Sequence, residues 1–426
     1  MRQFLYISPY FPPGARVGAL RPLKFARHLP THGWAPVVLC DLWPGARTST
    51  ELLDAVPDTT TIVRDYSARA AGAFANLQRP AASPSNKTAS APPSAKGFDP
   101  RDLLPQWLNN PELIPLGEHS VHIPHAVGAA RRALKAHPKC EAIMVNADPY
   151  AALLVGAHVA RQTGLPLIQD LRDPWSVCEL RRPRRPWPIL PFVDWLERLA
   201  FRPAQSIILN SLTTLEDYRR HYADFDPQRF ACIRNHGDAG LIGHGEHGGF
   251  ERFSLLFLGH FRRFLEGDVL IEVLVELKRR GLGHVQLVVT GNCPPDTMEM
   301  AHNAGVGEMV TKHDFVSYTS IGPVMESADV LVALSNRSTQ RIPAKFYDYA
   351  TSKRPVLVLA DNAELGQMAR SIGGAIFGMD DPMAVADWLE PIITAGRHPT
   401  TERPDGSFSS QQATAELAAI LDRITA

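Results

Sequence analysis

Three loops carry arginine or lysine in a way that suits phosphate binding, and the first two also carry glycine. The first is segment 9–18 (PYFPPGARVG), the second is 259–263 (GHFRR), and the third is 335–345 (SNRSTQRIPAK). Each loop follows a short apolar run and precedes a helical pattern. Backbone amides and the positive end of a helix would therefore meet an anionic ligand at these places. Segment 9–18 does not read GxGxxG, so the dinucleotide fingerprint is absent.

The cations in these loops have separate expected roles. Arg262 and Arg263 could neutralise a diphosphate, because a guanidinium matches phosphate geometry. Lys345 lies in the first turn of a predicted helix, where a cation and backbone amides can reach the same phosphate. Each loop also has a plain alternative. Segment 9–18 could be an irregular connection, 259–263 a set of solvated charges, and Lys345 a surface residue.

The elements that position these loops alternate between short apolar runs and longer amphipathic stretches, which is typical of α/β folds with parallel sheets. Several apolar runs are continuous, as expected for strands covered on both faces. The predicted strands are 4–8, 36–40, 142–146, 166–170, 206–210, 254–258, 285–290, 309–315, 329–334, 355–359 and 375–377. Helices are predicted between them.

The pattern predicts an α/β protein with two doubly wound, Rossmann-like domains facing a central cleft. The first domain covers 1–240 and includes a flexible insertion at 69–96, which is rich in Ala, Pro and Ser. The linker is expected in 237–250, which carries six glycines and no periodicity. The second domain covers 250–400, and 411–426 is predicted to be a helix that packs back on the first domain.

Composition and charge argue against several classes of protein. The 426 residues include 44 basic and 44 acidic side chains, a balance that argues against nucleic acid as the main partner. Five widely spaced cysteines without a CxxC pair disfavour a disulfide framework or a zinc site and fit a reducing compartment. The apolar run at 4–7 is too short for a signal-peptide core. No stretch approaches the ~20 apolar residues of a membrane span, so we expect a cytoplasmic protein.

Two patterns resemble metal-binding motifs, but we predict no metal site. Asp224 and Asp226 form an Asp-x-Asp pattern that follows a helix rather than a strand, which indicates a polar loop. His119, His122 and His125 are spaced by threes, but a proline interrupts any helix there and no cysteine lies near.

Four motifs in order along nearly the whole chain, excluding 69–96, resemble the family-4 glycosyltransferases of the GT-B fold, and the third motif has two parts. They are 6–13 (YISPYFPP), 166–175 (PLIQDLRDPW), the pair 206–211 and 233–238 (SIILNS and IRNHGD), and 342–355 (IPAKFYDYATSKRP). The resemblance implies transfer of a sugar from a nucleotide-sugar donor to an acceptor hydroxyl. It also implies retention of anomeric configuration and no bound metal or other cofactor.

The loops and the resemblance together predict the site residues. The predicted donor-binding residues are Gly259, Arg262, Arg263, Gln340, Ile342, Pro343, Ala344, Lys345 and Asp348. The predicted acceptor-binding residues are Gly14, Val17 and Gly18, and the predicted catalytic residues are Asp173, Arg172 and Lys345. We expect a front-face displacement in which Lys345, with Arg262 or Arg263, stabilises charge on the β-phosphate. Asp173 would contact a sugar or acceptor hydroxyl, and its alternative role is turn chemistry beside Pro174.

The sequence departs from the family pattern at several positions. Gln340 and Asp348 stand where the family often has two glutamates. Gln340 can still hydrogen-bond sugar hydroxyls, but without charge, and Asp348 can still hold a ribose with a shorter reach. Arg172 replaces a frequent histidine, and His236 replaces a glycine. The family's arginine and lysine after the first glycine of the second domain map poorly, so Arg262, Arg263 and Lys345 are assigned as substitutes.

Segment 181–201 bears on the acceptor, which could be a glycan, a lipid-linked group or a small molecule. Four arginines precede Trp187 and an apolar helix that ends near Phe201. Such a combination can mark an interfacial membrane segment. Peripheral contact with the inner face of a membrane would then fit a lipid-linked acceptor. The alternative is a helix packed on the first domain with a solvated basic entrance.

Two other functions stay open at this point. A sugar-nucleotide epimerase can have the same two-domain form, although His236, His244 and His247 lack paired carboxylates at a matching site. The second function is that of a non-catalytic relative that binds a nucleotide or a partner. Gln340 in place of glutamate favours this possibility.

Overall fold

A computed structural model of the chain describes residues 1–68, 116–245, 248–259, 261, 268–335, 338–404 and 406–426. The chain divides into two compact units. Unit 1 contains Met1–Leu209, Asp217–Ala231 and Ala418–Ala426, and unit 2 contains Asn210–Glu216 and Cys232–Leu417. The predicted insertion at 69–96 lies outside the described residues, as do Arg262, Arg263 and His247.

Unit 1 is built on a seven-stranded sheet. Its strands are β1 (Arg2–Tyr10), β2 (Trp34–Asp41), β3 (Thr61–Arg64), β4 (Cys140–Asn146), β5 (Leu167–Leu171), β6 (Ser206–Leu209) and β7 (Phe230–Cys232). The strand order is β3-β2-β1-β4-β5-β6-β7, and β1 to β6 pair in parallel. The five strands predicted for the first half of the chain are present. The two unpredicted strands, β3 and β7, are short and lie at the sheet edges, where a few half-buried residues leave little hydrophobic pattern.

The helices of unit 1 lie mainly between its strands. They are α1 (Val17–His28), α2 (Thr50–Asp54), α3 (Ile123–Ala136), α4 (Ala151–Thr163) and α5 (Ile189–Phe201). The next helix, α6 (Leu212–His221), begins among residues of unit 2 and ends in unit 1. None of the helices in the described part of the chain is long and apolar enough to cross a membrane.

Unit 2 is built on a six-stranded parallel sheet. Its strands are β8 (Phe253–Leu258), β9 (Val285–Thr290), β10 (Val310–His313), β11 (Val330–Leu334), β12 (Val356–Leu359) and β13 (Ala375–Phe377), in the order β10-β9-β8-β11-β12-β13. Its helices are α7 (Asp268–Arg279), α8 (Pro295–Asn303), α9 (Ile321–Ser327), α10 (Ala344–Tyr349), α11 (Ala363–Ser371) and α12 (Pro382–Ala395). The doubly wound α/β class predicted from the sequence is therefore confirmed for both units.

The last helix, α13 (Ser410–Thr425), begins in unit 2, and its final residues belong to unit 1. There the Asp422 carboxylate accepts hydrogen bonds from Arg2 Nη1 and Trp34 Nε1, each at 3.0 Å. The glycine-rich segment 237–250, in which we expected the linker, belongs to unit 2.

Both faces of the unit 2 sheet are covered by apolar side chains. Along β8, Leu255 and Phe257 pack in one buried cluster with residues of α7 and α12. Leu256 and Leu258 pack in a second cluster with residues of α9, α10 and α11. Successive strand residues point to opposite faces, so a continuous apolar run is what two covered faces require.

One buried ion pair joins α1 to the sheet of unit 1. Arg21 Nε and Nη2 donate to the two carboxylate oxygens of Asp170 at 2.8 and 2.9 Å. The side chains are 3% and 0% exposed. The Arg21 guanidinium also lies over the Phe25 ring, 4.9 Å from its centroid. The pair fixes the start of α1, which follows the predicted site loop 9–18, against β5, which leads into the loop with Arg172 and Asp173.

We predict that Arg21→Ala destabilises the protein by about 3–5 kcal/mol, because it leaves the Asp170 carboxylate buried and unpaired. Urea denaturation gives the free energy of unfolding. Arg21→Met combined with Asp170→Leu should recover most of that loss, since both charges are then removed. Arg131→Ala, on the exposed side of α3, is the control and should change stability by less than about 0.5 kcal/mol. A loss in Arg21→Ala no larger than that of the control would contradict the assignment.

Candidate functional site

In each unit a predicted site loop follows a strand that flanks the reversal of strand order. In unit 2, β8 and β11 are neighbours at that point, and Gly259 and Ser335 directly follow them. In unit 1, β1 and β4 are the corresponding neighbours. Doubly wound sheets bind ligands at this place, outside the carboxyl ends of the strands. The topology therefore gives each unit one favoured ligand position.

The Lys345 ammonium lies at the carboxyl end of β8. Its Nζ atom is 3.5 Å from the centroid of the Phe257 ring, a cation–π contact. Gly259 has φ of +112°, which strongly favours glycine, and its backbone N–H donates to the Thr290 carbonyl at 2.8 Å. A Cβ atom added at Gly259 would lie 3.9 Å from Lys345 Nζ. The structure thus brings together two residues that stand 86 positions apart in the sequence.

Asn362 organises the loop that leads into α10. Its Nδ2 atom donates to the carbonyls of Ser338, Thr339 and Arg341 at 3.3, 2.8 and 3.2 Å. Its Oδ1 atom accepts from the Leu365 N–H and caps α11. One buried amide therefore holds the loop and the next helix together. The sequence offered no reason to select it.

The predicted donor-binding residues before α10 have different environments. Gln340 is buried, and its carbonyl accepts from Ser211 Oγ at 3.4 Å. Ile342 is also buried and belongs to the apolar cluster that includes Leu256 and Leu258. Pro343 immediately precedes α10, and Ala344 is its first residue. Pro343, Ala344 and Lys345 are each partly exposed.

Tyr318 holds the Asp348 carboxylate. The tyrosine hydroxyl donates to Asp348 Oδ1 at 2.5 Å, and Asp348 is buried near the end of α10. Burial, together with the neighbouring Asp348 carboxylate, raises the pKa of Tyr318 well above its usual range. The phenol therefore stays protonated and keeps its donor role. Tyr318 was not predicted as a site residue, because it lies in the loop after β10, far from the recognised motif.

Glu364 joins the start of α6 to segment 233–238, one of the segments that carry the family resemblance. Its carboxylate accepts from the N–H groups of Leu212 and Thr213 at 2.9 and 3.0 Å, and from Arg234 Nη2 at 2.8 Å. Carboxylates near a helix N-terminus are favourable because the terminal N–H groups lack helical partners. The start of α6 and segment 233–238 therefore meet at the first turn of α11.

Gly237 lies directly against α10. A Cβ atom there would be 2.3 Å from the Tyr347 carbonyl oxygen, so a larger residue would displace the backbone. The preceding His236 is buried, and its Nδ1 atom is hydrogen-bonded to Ser410 Oγ at 2.8 Å. His236 therefore supports the fold of unit 2 at this position.

In unit 1, Gly18 lies against a half-buried ion pair. Arg172 Nη1 donates to Asp148 Oδ2 at 3.2 Å. A Cβ atom at Gly18 would lie 2.7 Å from that oxygen and 3.1 Å from the Tyr10 ring. Desolvation raises the pKa of the Asp148 carboxyl, although the Arg172 charge opposes this. Asp148 was not predicted as a site residue; its position after β4 at the strand-order reversal could have revealed it.

The other predicted acceptor-binding residues lie in the loop before α1. Gly14 forms an isolated bridge with Thr48, and its N–H donates to the Phe11 carbonyl at 3.2 Å. Val17 begins α1 and is 55% exposed. The loop is therefore held by backbone hydrogen bonds at Gly14 and exposed to solvent at Val17.

Buried polar groups support the loop that contains Asp173. The Tyr150 hydroxyl donates to the Pro174 carbonyl at 2.9 Å, and the Tyr150 ring stacks on Trp175 with centroids 5.1 Å apart. The backbone N–H of Trp175 donates to the Tyr218 hydroxyl at 2.8 Å. Asp173 thus lies in the loop after β5, and the next residues of that loop, Pro174 and Trp175, are held by hydrogen bonds.

Glu197 completes this support. Its carboxylate is fully buried and accepts from the Tyr218 and Tyr222 hydroxyls at 2.6 and 2.7 Å, and from the Ser176 N–H at 3.3 Å. Burial raises the pKa of Glu197, and these hydrogen bonds oppose the shift. No sequence pattern distinguished Glu197 from Asp194, the other acid of α5, which is only partly buried.

The fold keeps His119 and His122 together and gives His125 a different partner. His119 Nε2 lies 3.2 Å from the Tyr10 hydroxyl, and the His119 ring packs edge-on against Trp43. His122 also packs against Trp43, whereas His125 Nε2 bonds to Asp65 Oδ1 at 2.8 Å. Within the described ranges, no group of three His, Cys, Asp or Glu residues could hold a metal ion.

Solved structures of low sequence identity share the two-unit architecture. HepE from Anabaena, crystallised with UDP and glucose, matches with TM-score 0.62 and 14% identity over 99% of this chain and 100% of that one. Sucrose-phosphate synthase from Thermosynechococcus elongatus matches with TM-score 0.61 and 13% identity over 100% and 96%. A putative UDP-N-acetylglucosamine 2-epimerase from Listeria monocytogenes matches with TM-score 0.58 and 11% identity over 99% and 95%.

These likenesses concern the fold, which is of the GT-B class. No protein-family model matches the chain, and no curated protein sequence matches it.

We predict that His119 makes stability sensitive to mild acid. Burial, then the charges of His122 and Arg16, lowers the pKa of His119 to about 4, from about 6.5 in an unfolded chain. The neutral imidazole therefore favours folding above about pH 6.5, and this contribution is lost as pH falls towards the folded pKa. Between pH 7 and 4.5, His119→Gln should lose about 2 kcal/mol less stability than the wild type in urea titrations. Exposed His32→Gln is the control, and equal behaviour of both variants would refute the assignment.

Proposed function

We propose that this protein is a glycosyltransferase that moves a sugar from a nucleotide-sugar donor to an acceptor hydroxyl. The observation that carries the proposal is the Lys345 ammonium beside Gly259, at the carboxyl end of β8 and at the strand-order reversal of unit 2. A fixed cation at this position suits the diphosphate of such a donor.

Lys345 would stabilise the negative charge that develops on the leaving diphosphate. A cation held in place before the reaction lowers the barrier without reorganising. Its contact with the Phe257 ring supports this, because the negative face of the ring attracts the ammonium and helps to hold it at the carboxyl end of β8. Arg262 and Arg263 follow Gly259 by three and four residues in the sequence and are proposed as further diphosphate ligands.

Asp348 is proposed to bind the donor ribose. Tyr318 holds one of its carboxylate oxygens at 2.5 Å, which supports a fixed orientation for a hydroxyl ligand. Pro343 and Ala344 would bring the start of α10 to the phosphates. The buried side chains of Gln340 and Ile342 favour a role in shaping this loop, and a Gln340 contact with sugar hydroxyls remains part of the proposal.

Unit 1 is proposed to bind the acceptor through Gly14, Val17, Gly18 and the loop that contains Asp173. Asp173 would contact a hydroxyl of the sugar or acceptor. Arg172 is oriented by Asp148 at 3.2 Å, which supports a positioning role for its guanidinium. Retention of configuration is proposed from the family resemblance. Metal independence is proposed because protein cations and backbone amides would neutralise and bind the diphosphate.

The donor class is proposed partly from structural likeness. HepE, with the same fold, was crystallised with UDP and glucose. UDP-sugars are therefore the first donors to test. A hexose is the proposed transferred group, in the synthesis of a cell-surface glycan or a natural-product glycoside.

A sugar-nucleotide epimerase is the second candidate, because a putative epimerase shares the fold. The environment of His236 favours transfer over this alternative. Its ring is buried and bonded to Ser410, so it is poorly placed to exchange protons with a sugar. Epimerisation needs such an exchange at carbon, whereas transfer needs stabilisation of a leaving diphosphate.

Measuring nucleoside-diphosphate release from a panel of nucleotide sugars, with and without candidate acceptors, tests the proposal. Transfer predicts acceptor-dependent release and a glycosylated product by mass spectrometry. Conversion of the donor to an isomer with the nucleotide still attached would instead establish epimerisation. Binding of a nucleoside diphosphate without turnover of any donor would support the non-catalytic alternative.

We predict that Lys345→Ala lowers kcat by about 10²–10³-fold, the usual effect of removing one preorganised electrostatic group. Lys353→Ala is the matched control, because Lys353 is an exposed lysine of the same unit. It should retain full activity. Both variants should melt within a few degrees of the wild type. Full turnover in Lys345→Ala would exclude Lys345 as the diphosphate ligand.

A further inference from the structure

Unit 1 exposes three large aromatic side chains within nine residues. Trp187 is 82% exposed, Phe192 is 47% exposed and Trp195 is 55% exposed. The Phe192 and Trp195 rings stack, with centroids 5.8 Å apart and planes inclined by 17°. Across the described ranges, only Phe315 is a further exposed aromatic of this kind. Aromatic side chains are costly to leave in water, so such a cluster indicates a surface that contacts something.

Helix α5 has apolar residues on two sides. Its inner side packs into unit 1 through Val193, Leu196 and Phe201, which are buried. Phe192, Trp195 and Arg202 follow one another at spacings of three and seven residues, so they share a different side. Packing within unit 1 accounts for the inner side and leaves the outer aromatics unexplained.

Inward-facing arginines hold the segment before α5 in place. Arg185 is buried, and its Nη1 atom donates to the Trp175 carbonyl at 2.8 Å. Arg182 Nη1 donates to the Ser176 carbonyl at 3.0 Å. Trp187 is therefore presented on a segment that is anchored two residues earlier. Arg182 and Arg185, two of the four arginines that precede Trp187 in the sequence, therefore hold this segment in place.

The charge around the aromatic residues is positive. Segment 181–202 contains six arginines and two acids. Of the acids, Glu197 is fully buried, and Asp194 pairs with Arg182 at 3.2 Å. Arg184 and Arg202 are exposed. The exposed surface of this segment therefore combines aromatic rings with guanidinium groups.

We propose that one surface of unit 1, which we call the aromatic face, docks on an anionic lipid bilayer. The aromatic face consists of Trp187, Phe192, Trp195, Arg184 and Arg202. Tryptophan favours the headgroup level of membranes, where its ring is apolar and its N–H stays hydrated. Guanidinium groups beside it attract anionic headgroups. A helix that displays both kinds of residue lies in the interface plane without crossing the membrane. The excess of positive charge favours this occupant over a second copy of the same face, which would place like charges together.

The experiment is co-sedimentation of the full chain with vesicles of phosphatidylcholine, with and without phosphatidylglycerol. We expect binding to the mixed vesicles and much weaker binding to phosphatidylcholine alone. The triple variant Trp187→Ala, Phe192→Ala, Trp195→Ala should bind the mixed vesicles at least roughly tenfold more weakly. Phe315→Ala is the matched control, because it removes an exposed aromatic of unit 2 and should leave binding unchanged.

A second pair of variants separates charge from apolar contact. Arg184→Gln with Arg202→Gln should remove most of the preference for phosphatidylglycerol, whereas Arg131→Gln on α3 should keep it. Thermal melting by circular dichroism checks that every variant is folded. The readout is lipid binding, so the result does not depend on the proposed sugar transfer.

Three outcomes would overturn the proposal. The first is no binding of the wild-type chain to the mixed vesicles. The second is undiminished binding by the folded triple variant. The third is concentration-dependent self-association, measured by analytical ultracentrifugation, that disappears in the triple variant while lipid binding does not. That outcome would assign the aromatic face to a contact between two copies of the chain.

Discussion

The unit 2 sheet is covered by apolar side chains on both faces, and most of the structure follows from that constraint. Leu255 and Phe257 fill one layer and Leu256 and Leu258 the other, so the interior of β8 has no room for polar chemistry. Polar groups that could bind a ligand are therefore confined to the strand ends. At the strand-order reversal, where the helices on either side diverge, Gly259 and Lys345 occupy this position.

Loops at strand ends need anchors, because their backbone groups lack the partners that strands and helices supply. Single buried polar side chains meet this need in both units. Asn362 binds three carbonyls of the loop before α10, and Glu364 binds the first N–H groups of α6. In unit 1, Glu197 accepts from two tyrosines and Arg21 pairs with Asp170. Each of these groups is fully or largely removed from water, so its hydrogen bonds are strong and its loss is costly.

The two units differ in what they expose. Unit 2 places a cation on an aromatic ring beside a glycine, an arrangement suited to a small anionic ligand. Unit 1 exposes three aromatic rings and nearby arginines in α5 and its flanking residues, an arrangement suited to an extended surface. Arg182 and Arg185 show that a run of basic residues need not act as one feature. These two turn inwards to backbone carbonyls, while Arg184 stays exposed.

The sequence by itself determined the fold class and nearly every strand and helix, because continuous apolar runs and amphipathic periods are local properties of the chain. It also placed Gly259 directly after a strand and Lys345 in the first turn of a helix, since glycine and charge at such positions are visible without coordinates. It missed β3 and β7, which are too short to carry a pattern.

Only the tertiary structure decided which distant residues meet. Tyr318 binds Asp348 across 30 positions, Asp148 binds Arg172 across 24, and Asn362 holds a loop 21 to 24 positions before it. It also separated His125 from His119 and His122, and showed α5 to be apolar on its exposed side as well. Such pairings depend on strand order and helix packing, which join residues that no local pattern connects.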